Sequence, residues 1–107
     1  MTSCGRLSLI AFLLLPGLAG AADTPVVVQK DKRFDRDSVE IARGEAVKFV
    51  NQDQVRHNIA LRTPDGENKT GIVQAPGETS QITFDQAGLF QIHCLIHPQM
   101  HMSVTVK

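Results

Sequence analysis

Apolar residues at alternate positions, glycine-containing turns at near-regular intervals and the want of any helical stripe specify an all-β protein. The architecture they imply is an antiparallel two-sheet sandwich with Greek-key connections and about seven or eight strands. Val26 and Val28 open the alternation. Val39 and Ile41, then Val47 and Phe49, continue it on either side of Ala42-Arg43-Gly44-Glu45, which reads as a tight turn. His57, Ile59 and Leu61 share one parity, and Ile82 and Phe84 another, before Asp85-Gln86-Ala87-Gly88 turns the chain. Phe90, Ile92 and Cys94 share a face, as do Met102, Val104 and Val106. Between Thr63 and Glu78 the pattern lapses. Pro64-Asp65-Gly66 and Ala75-Pro76-Gly77 are turn signals there, around either a short strand at Ile72-Val73 or a loop.

The first residues stand apart from this pattern. Arg6 precedes an almost unbroken apolar run from Leu7 to Leu15, Pro16-Gly17 breaks it, and Ala19-Gly20-Ala21 has the small residues that a signal peptidase reads. Residues 1–21 are therefore expected to be a cleaved secretory signal, too short to span a membrane, with a cut after Ala21 or Ala22. Residues 22–107 remain as one small domain. Cys4 leaves with the signal, so Cys94 is the single cysteine of the exported chain. An unpaired thiol in an oxidising compartment is a liability unless it is buried or bound to metal.

Charge excludes several classes of partner. The 11 basic and 11 acidic side chains balance, and losing Arg6 leaves one acid in excess. No basic run suggests nucleic acid, and no second apolar segment suggests stable membrane insertion. Phosphate loops, a Gly-x-Ser-x-Gly elbow and haem-attachment spacing are absent from the sequence, and Asn68-Lys69-Thr70 is no more than a common sequon.

The chemistry lies near the C-terminal end, in His93-Cys94-Leu95-Ile96-His97-Pro98-Gln99-Met100, with His57-Asn58 far upstream. Cys94, His97, Met100 and His57 are the donors of a trigonal two-histidine, one-cysteine copper site with a weak axial methionine. Strand parity turns Cys94 and His57 inward and His93 outward, so a folded sandwich can close the set. Thiolate suits both oxidation states of copper, imidazole suits Cu(II), and thioether tolerates Cu(I). A site that keeps one geometry in both states passes electrons rather than transforming a substrate. Tetrahedral zinc on His57, Cys94, His97 and His101 is the rival, but it leaves Met100 without a role. His93, His101 and Met102 are possible extra donors, against the simpler reading of two surface histidines and a core methionine.

These residues carry a resemblance. Ala42 to Asn51, the His57-Asn58-Ile59 triplet and Ala87 to Cys94 resemble the corresponding motifs of the cupredoxins, specifically the amicyanin and plastocyanin branch. The ligand loop has the short amicyanin spacing, and the interval from Met100 to Val104 matches the one that follows the family's axial methionine. The resemblance implies that Met100 rather than Met102 is axial. It also implies that Asn58 ties the two ligand loops together beside the sulfur, and that the edge of His97 is exposed in an apolar patch. Ile96, Arg56 and Met102 depart from the family pattern and alter the face around the site.

The expected function is one-electron transfer in a bacterial periplasm, by a monomer holding one copper ion and meeting a cytochrome, dehydrogenase or oxidase transiently. No enzyme activity is implied. The alternative is a periplasmic copper-binding protein for tolerance or delivery, which would take up a second ion through His93, His101 or Met102.

Overall fold

The computed structural model describes residues 23–107, so the expected signal at residues 1–21 lies outside the described residues. Nine strands make up the described chain: β1 Val26–Lys30, β2 Arg33–Phe34, β3 Ser38–Ile41, β4 Ala46–Asn51, β5 His57–Arg62, β6 Asn68–Gln74, β7 Thr79–Thr83, β8 Gly88–His93 and β9 His101–Val106. They form two facing sheets, one of five strands in the order β3-β9-β8-β5-β6 and one of four in the order β2-β1-β4-β7. The all-β sandwich is as expected. Two pairings, β9 with β3 and β1 with β4, are parallel, so both sheets are mixed rather than purely antiparallel. Alternation records which face a residue takes but says nothing of a strand's partner or its direction.

The core lies between the sheets. Val27, Val47 and Phe49 meet Ile59, Phe90, Ile92, Met102 and Val104 there, with Phe84 edge-on to Phe90 at a centroid separation of 5.0 Å. In β1 the inward residues are Val27 and Gln29, not Val26 and Val28. Three consecutive valines carry no parity of their own. Their register against β4, with Val27 beside Phe49 and Gln29 beside Asn51, sets the face, because paired residues point the same way.

The lapsed segment contains β6, a seven-residue edge strand with only Gln74 fully buried. A strand that lies at a sheet edge with both faces wet has no apolar alternation to display. Its pairing with β5 shifts register between Ile59 and Leu61, so that two residues of β6 stand opposite Ala60. Gly71 sits in this bulge. A Cβ there would lie 1.0 Å from the Ile59 carbonyl oxygen, so the backbones can approach this closely only at glycine.

Topology brings the functional residues to one end. β5 runs antiparallel to β8, so His57 at the start of β5 lies near Cys94, which follows the end of β8. The short loop from Cys94 to Met100 then leads into β9. Replacing Gly71 by alanine forces this bulge to open. We expect Gly71→Ala to cost more than about 2 kcal/mol, read as a lowered urea midpoint of the metal-free protein.

Candidate metal centre

The ligand loop is closed by its own backbone. The Cys94 amide donates to the Met100 carbonyl at 3.2 Å and the Met100 amide to the His97 carbonyl at 2.9 Å. These bonds curl the loop that carries Cys94, His97 and Met100 back on itself. Asn58 fastens that loop to β5: its backbone amide donates to Cys94 Sγ at 3.4 Å, and its side-chain Oδ1 accepts the Leu95 amide at 2.7 Å. The role that the resemblance implied for Asn58 is thus drawn in hydrogen bonds.

Three donor atoms converge. His57 Nδ1 lies 3.2 Å from His97 Nδ1, and Cys94 Sγ lies 4.0 Å from the first and 3.8 Å from the second. The point equidistant from all three is about 2.1 Å from each, inside the ~2.0–2.3 Å range of metal bonds to imidazole nitrogen and thiolate. His57 and Cys94 are buried and His97 is half-buried. Water is therefore kept from two donors while the third reaches the surface. The triangle fits a metal ion.

Sequence reasoning missed Asp53. This carboxylate, 12% exposed, accepts from His57 Nε2 at 2.8 Å. With Nε2 committed to Asp53, the lone pair of Nδ1 is left for the metal, the arrangement by which outer-shell carboxylates orient histidine ligands. Asp53 is itself held by amides, from Lys32 at 2.8 Å on the same oxygen and from Gln54 at 2.9 Å on the other. Burial alone would raise its pKa, but the Lys32 amide and then His57 outweigh that and hold it at about 2. Asn51 Oδ1 accepts the Asp53 amide at 2.9 Å and fixes the loop. The only signal in the sequence was an acid four residues before a histidine, which acquires meaning once the loop has folded back.

Burial lowers the pKa of His97 below the ordinary imidazole value, and the neighbouring His57 and Lys32 act in the same direction against Asp53. The shift favours the neutral imidazole, the form that binds metal. Around it, Leu95 and Ile96 are exposed, 58% and 50% respectively, and make an apolar rim.

Comparison with known proteins agrees with this geometry. A family model for copper binding proteins of the plastocyanin/azurin family matches residues 23–107. The chain belongs to that family. It is 31% identical over 98 residues to the methylamine utilization protein MauL of Methylorubrum extorquens, covering 91% of this chain and 86% of MauL. Amicyanin of Paracoccus versutus is 34% identical over 93 residues, with 81% of this chain and 70% of amicyanin covered. The crystal structure of that amicyanin superposes with a TM-score of 0.73 at 29% identity, covering 81% of this chain and 84% of amicyanin. A Cu(I) form of an amicyanin mutant superposes at 0.72 with 25% identity, covering 83% and 88%. This cupredoxin binds copper.

The two methionines separate cleanly. Met100 is buried at 1% exposure but lies outside the apolar core cluster, in the ligand loop, whereas Met102 is a member of that cluster. His101 and Met102, adjacent on β9, face opposite sides of the sheet, His101 exposed and Met102 buried. The extra donors named from sequence therefore do not form one group: Met102 belongs to the sandwich interior, and His93 and His101 are on the outer side.

Replacing Asp53 by alanine frees the far nitrogen of His57. Copper affinity, measured by competition with a chelator, should fall by about 10- to 100-fold. The depressed pKa of Asp53 also stabilises the metal-free fold. That contribution is complete above the ordinary value of 3.8 and is lost as pH falls toward about 2. Urea midpoints of wild-type and Asp53→Ala apoprotein should accordingly converge as the pH is lowered through this window.

Proposed function

We propose that this cupredoxin is an exported electron carrier, residues 22–107, that moves single electrons between redox proteins in the periplasm. The observation that carries the proposal is the metal-sized triangle of His57 Nδ1, His97 Nδ1 and Cys94 Sγ, held by hydrogen bonds from Asn58 and to Asp53. His57, Cys94 and His97 would hold the ion, with Met100 as a weaker fourth donor. Copper supplies the one-electron couple.

The remaining work is done by the chain. Asn58 donates its amide to the sulfur and anchors the following residue, so the thiolate stays in place when the charge at the centre changes. Asp53 fixes the ring of His57. His97 is the half-buried ligand and sits among exposed Leu95 and Ile96, which supports an exit for the electron through this edge to a transient partner. A small apolar rim suits short-lived contact with a cytochrome, dehydrogenase or oxidase rather than a permanent complex. Membership of the plastocyanin/azurin copper-binding family supports a carrier rather than an enzyme. The periplasmic location is supported by the leader pattern, and burial and metal binding would shield the Cys94 thiol there; the chain acts as a monomer.

Two substitutions test the ligand set. Cys94→Ser should abolish the intense thiolate-to-copper band in the visible spectrum of the Cu(II) protein while leaving the sandwich folded; a retained band would remove Cys94 from the centre. Met100→Leu should shift that band and raise the reduction potential, whereas Met102→Leu should cost under ~1.5 kcal/mol of stability and leave the spectrum alone. Stopped-flow mixing with a reduced periplasmic cytochrome tests the function itself. Rapid oxidation of the cytochrome is expected, and slow exchange together with copper-sensitive growth of a deletion strain would favour a copper-handling role.

A further inference from the structure

The pairing of β8 with β9 sets His93 directly opposite His101. In an antiparallel ladder, hydrogen-bonded and non-hydrogen-bonded pairs alternate. The Cys94 amide bonds to the Met100 carbonyl at 3.2 Å, so the next pair along, His93 with His101, is of the non-hydrogen-bonded kind. That is the closer of the two, with Cα atoms about 4.5 Å apart and side chains in contact range. Both imidazoles point to the outer face, because Ile92 and Met102, their neighbours in the chain and each other's partners, are buried on the inner one. His101 is exposed and His93 half-buried.

We propose that His93 and His101 form a second metal site, a surface chelate for a borderline divalent cation of the late first row, separate from the copper centre. Imidazoles suit Cu(II), Ni(II) and Zn(II), and side chains directly opposite on one face of a ladder are close enough to turn toward one ion. The sheet itself keeps the two sites apart: Cys94 Sγ lies on the inner side with His57 and His97, whereas this pair lies on the outer side. Water fills the remaining coordination positions on an open face. Asp37 lines the hollow beside His101 and favours a cation there, while Arg33 in the same hollow and Lys69 in the groove beside His93 oppose it. The balance makes the site exchangeable, weaker than the enclosed centre. Met102, buried in the core, takes no part.

The experiment uses the exported protein with its first site filled by one equivalent of Cu(I), which is diamagnetic, and Ni(II) as the probe. Titration followed by amide NMR should show one Ni(II) equivalent, with paramagnetic broadening centred on residues 91–93 and 101–103. His101→Gln alters an exposed side chain and leaves the fold intact; it should weaken Ni(II) binding by about tenfold or more, since it turns a chelate into a single ligand. His93→Gln should do the same, and the visible band of the Cu(II) protein should be unchanged in His101→Gln. Broadening centred elsewhere, or unaltered Ni(II) affinity in His101→Gln, overturns the proposal.

Discussion

Asn58 holds the centre together with two hydrogen bonds that run in opposite senses. Its backbone amide points at the sulfur of Cys94, and its side-chain oxygen receives the amide of the residue after Cys94. One residue on β5 thus fixes both the thiolate and the start of the loop that carries His97 and Met100. A buried thiolate without a donor is expensive to keep, and a loop without an anchor does not hold ligands to within a fraction of an ångström. Both needs are met from the strand that also supplies His57, so ligands distant in sequence are placed by a single contact between neighbours in space.

The architecture around that contact is economical for a chain of 107 residues. Cys94 terminates the buried face of β8, His57 begins the buried face of β5, and the two strands run antiparallel. A metal site at the end of a sandwich requires no cavity in the middle of the core, where Phe49, Phe84 and Ile59 pack without interruption. The ligand that reaches the surface, His97, comes from the loop, where exposure costs least.

Much of this was legible in the sequence, for local reasons. Parity placed Phe90, Ile92 and Cys94 inward and His93 outward because β8 has one buried face, and the donor types in the loop define their own chemistry. What stayed hidden depended on partners far away in the chain. The parallel pairing of β1 with β4 chose the face of Val27 over that of Val26 and Val28. The edge strand β6 had no alternation to show. Asp53 was one acid among 11 until its loop folded back against His57. The facing of His93 by His101 depends on register, which the closed loop between them sets and composition does not reveal.

The turn between β1 and β2 has a consequence that reaches beyond its own hairpin. Asp31 and Lys32 both adopt left-handed backbone, with φ of 54° and 58°, a conformation that costs an ordinary residue of order 1–3 kcal/mol. The four-stranded sheet supports that cost, and in return the Lys32 amide faces Asp53, whose other partner on the same oxygen is His57 of the five-stranded sheet. The two sheets are therefore clasped at this end through the Asp53 carboxylate, which also holds the ring of His57. A ligand that binds only the folded form adds its binding free energy to stability. A bound ion would therefore firm the loop that carries its ligands and, through His57 and Asp53, the joint between the two sheets as well.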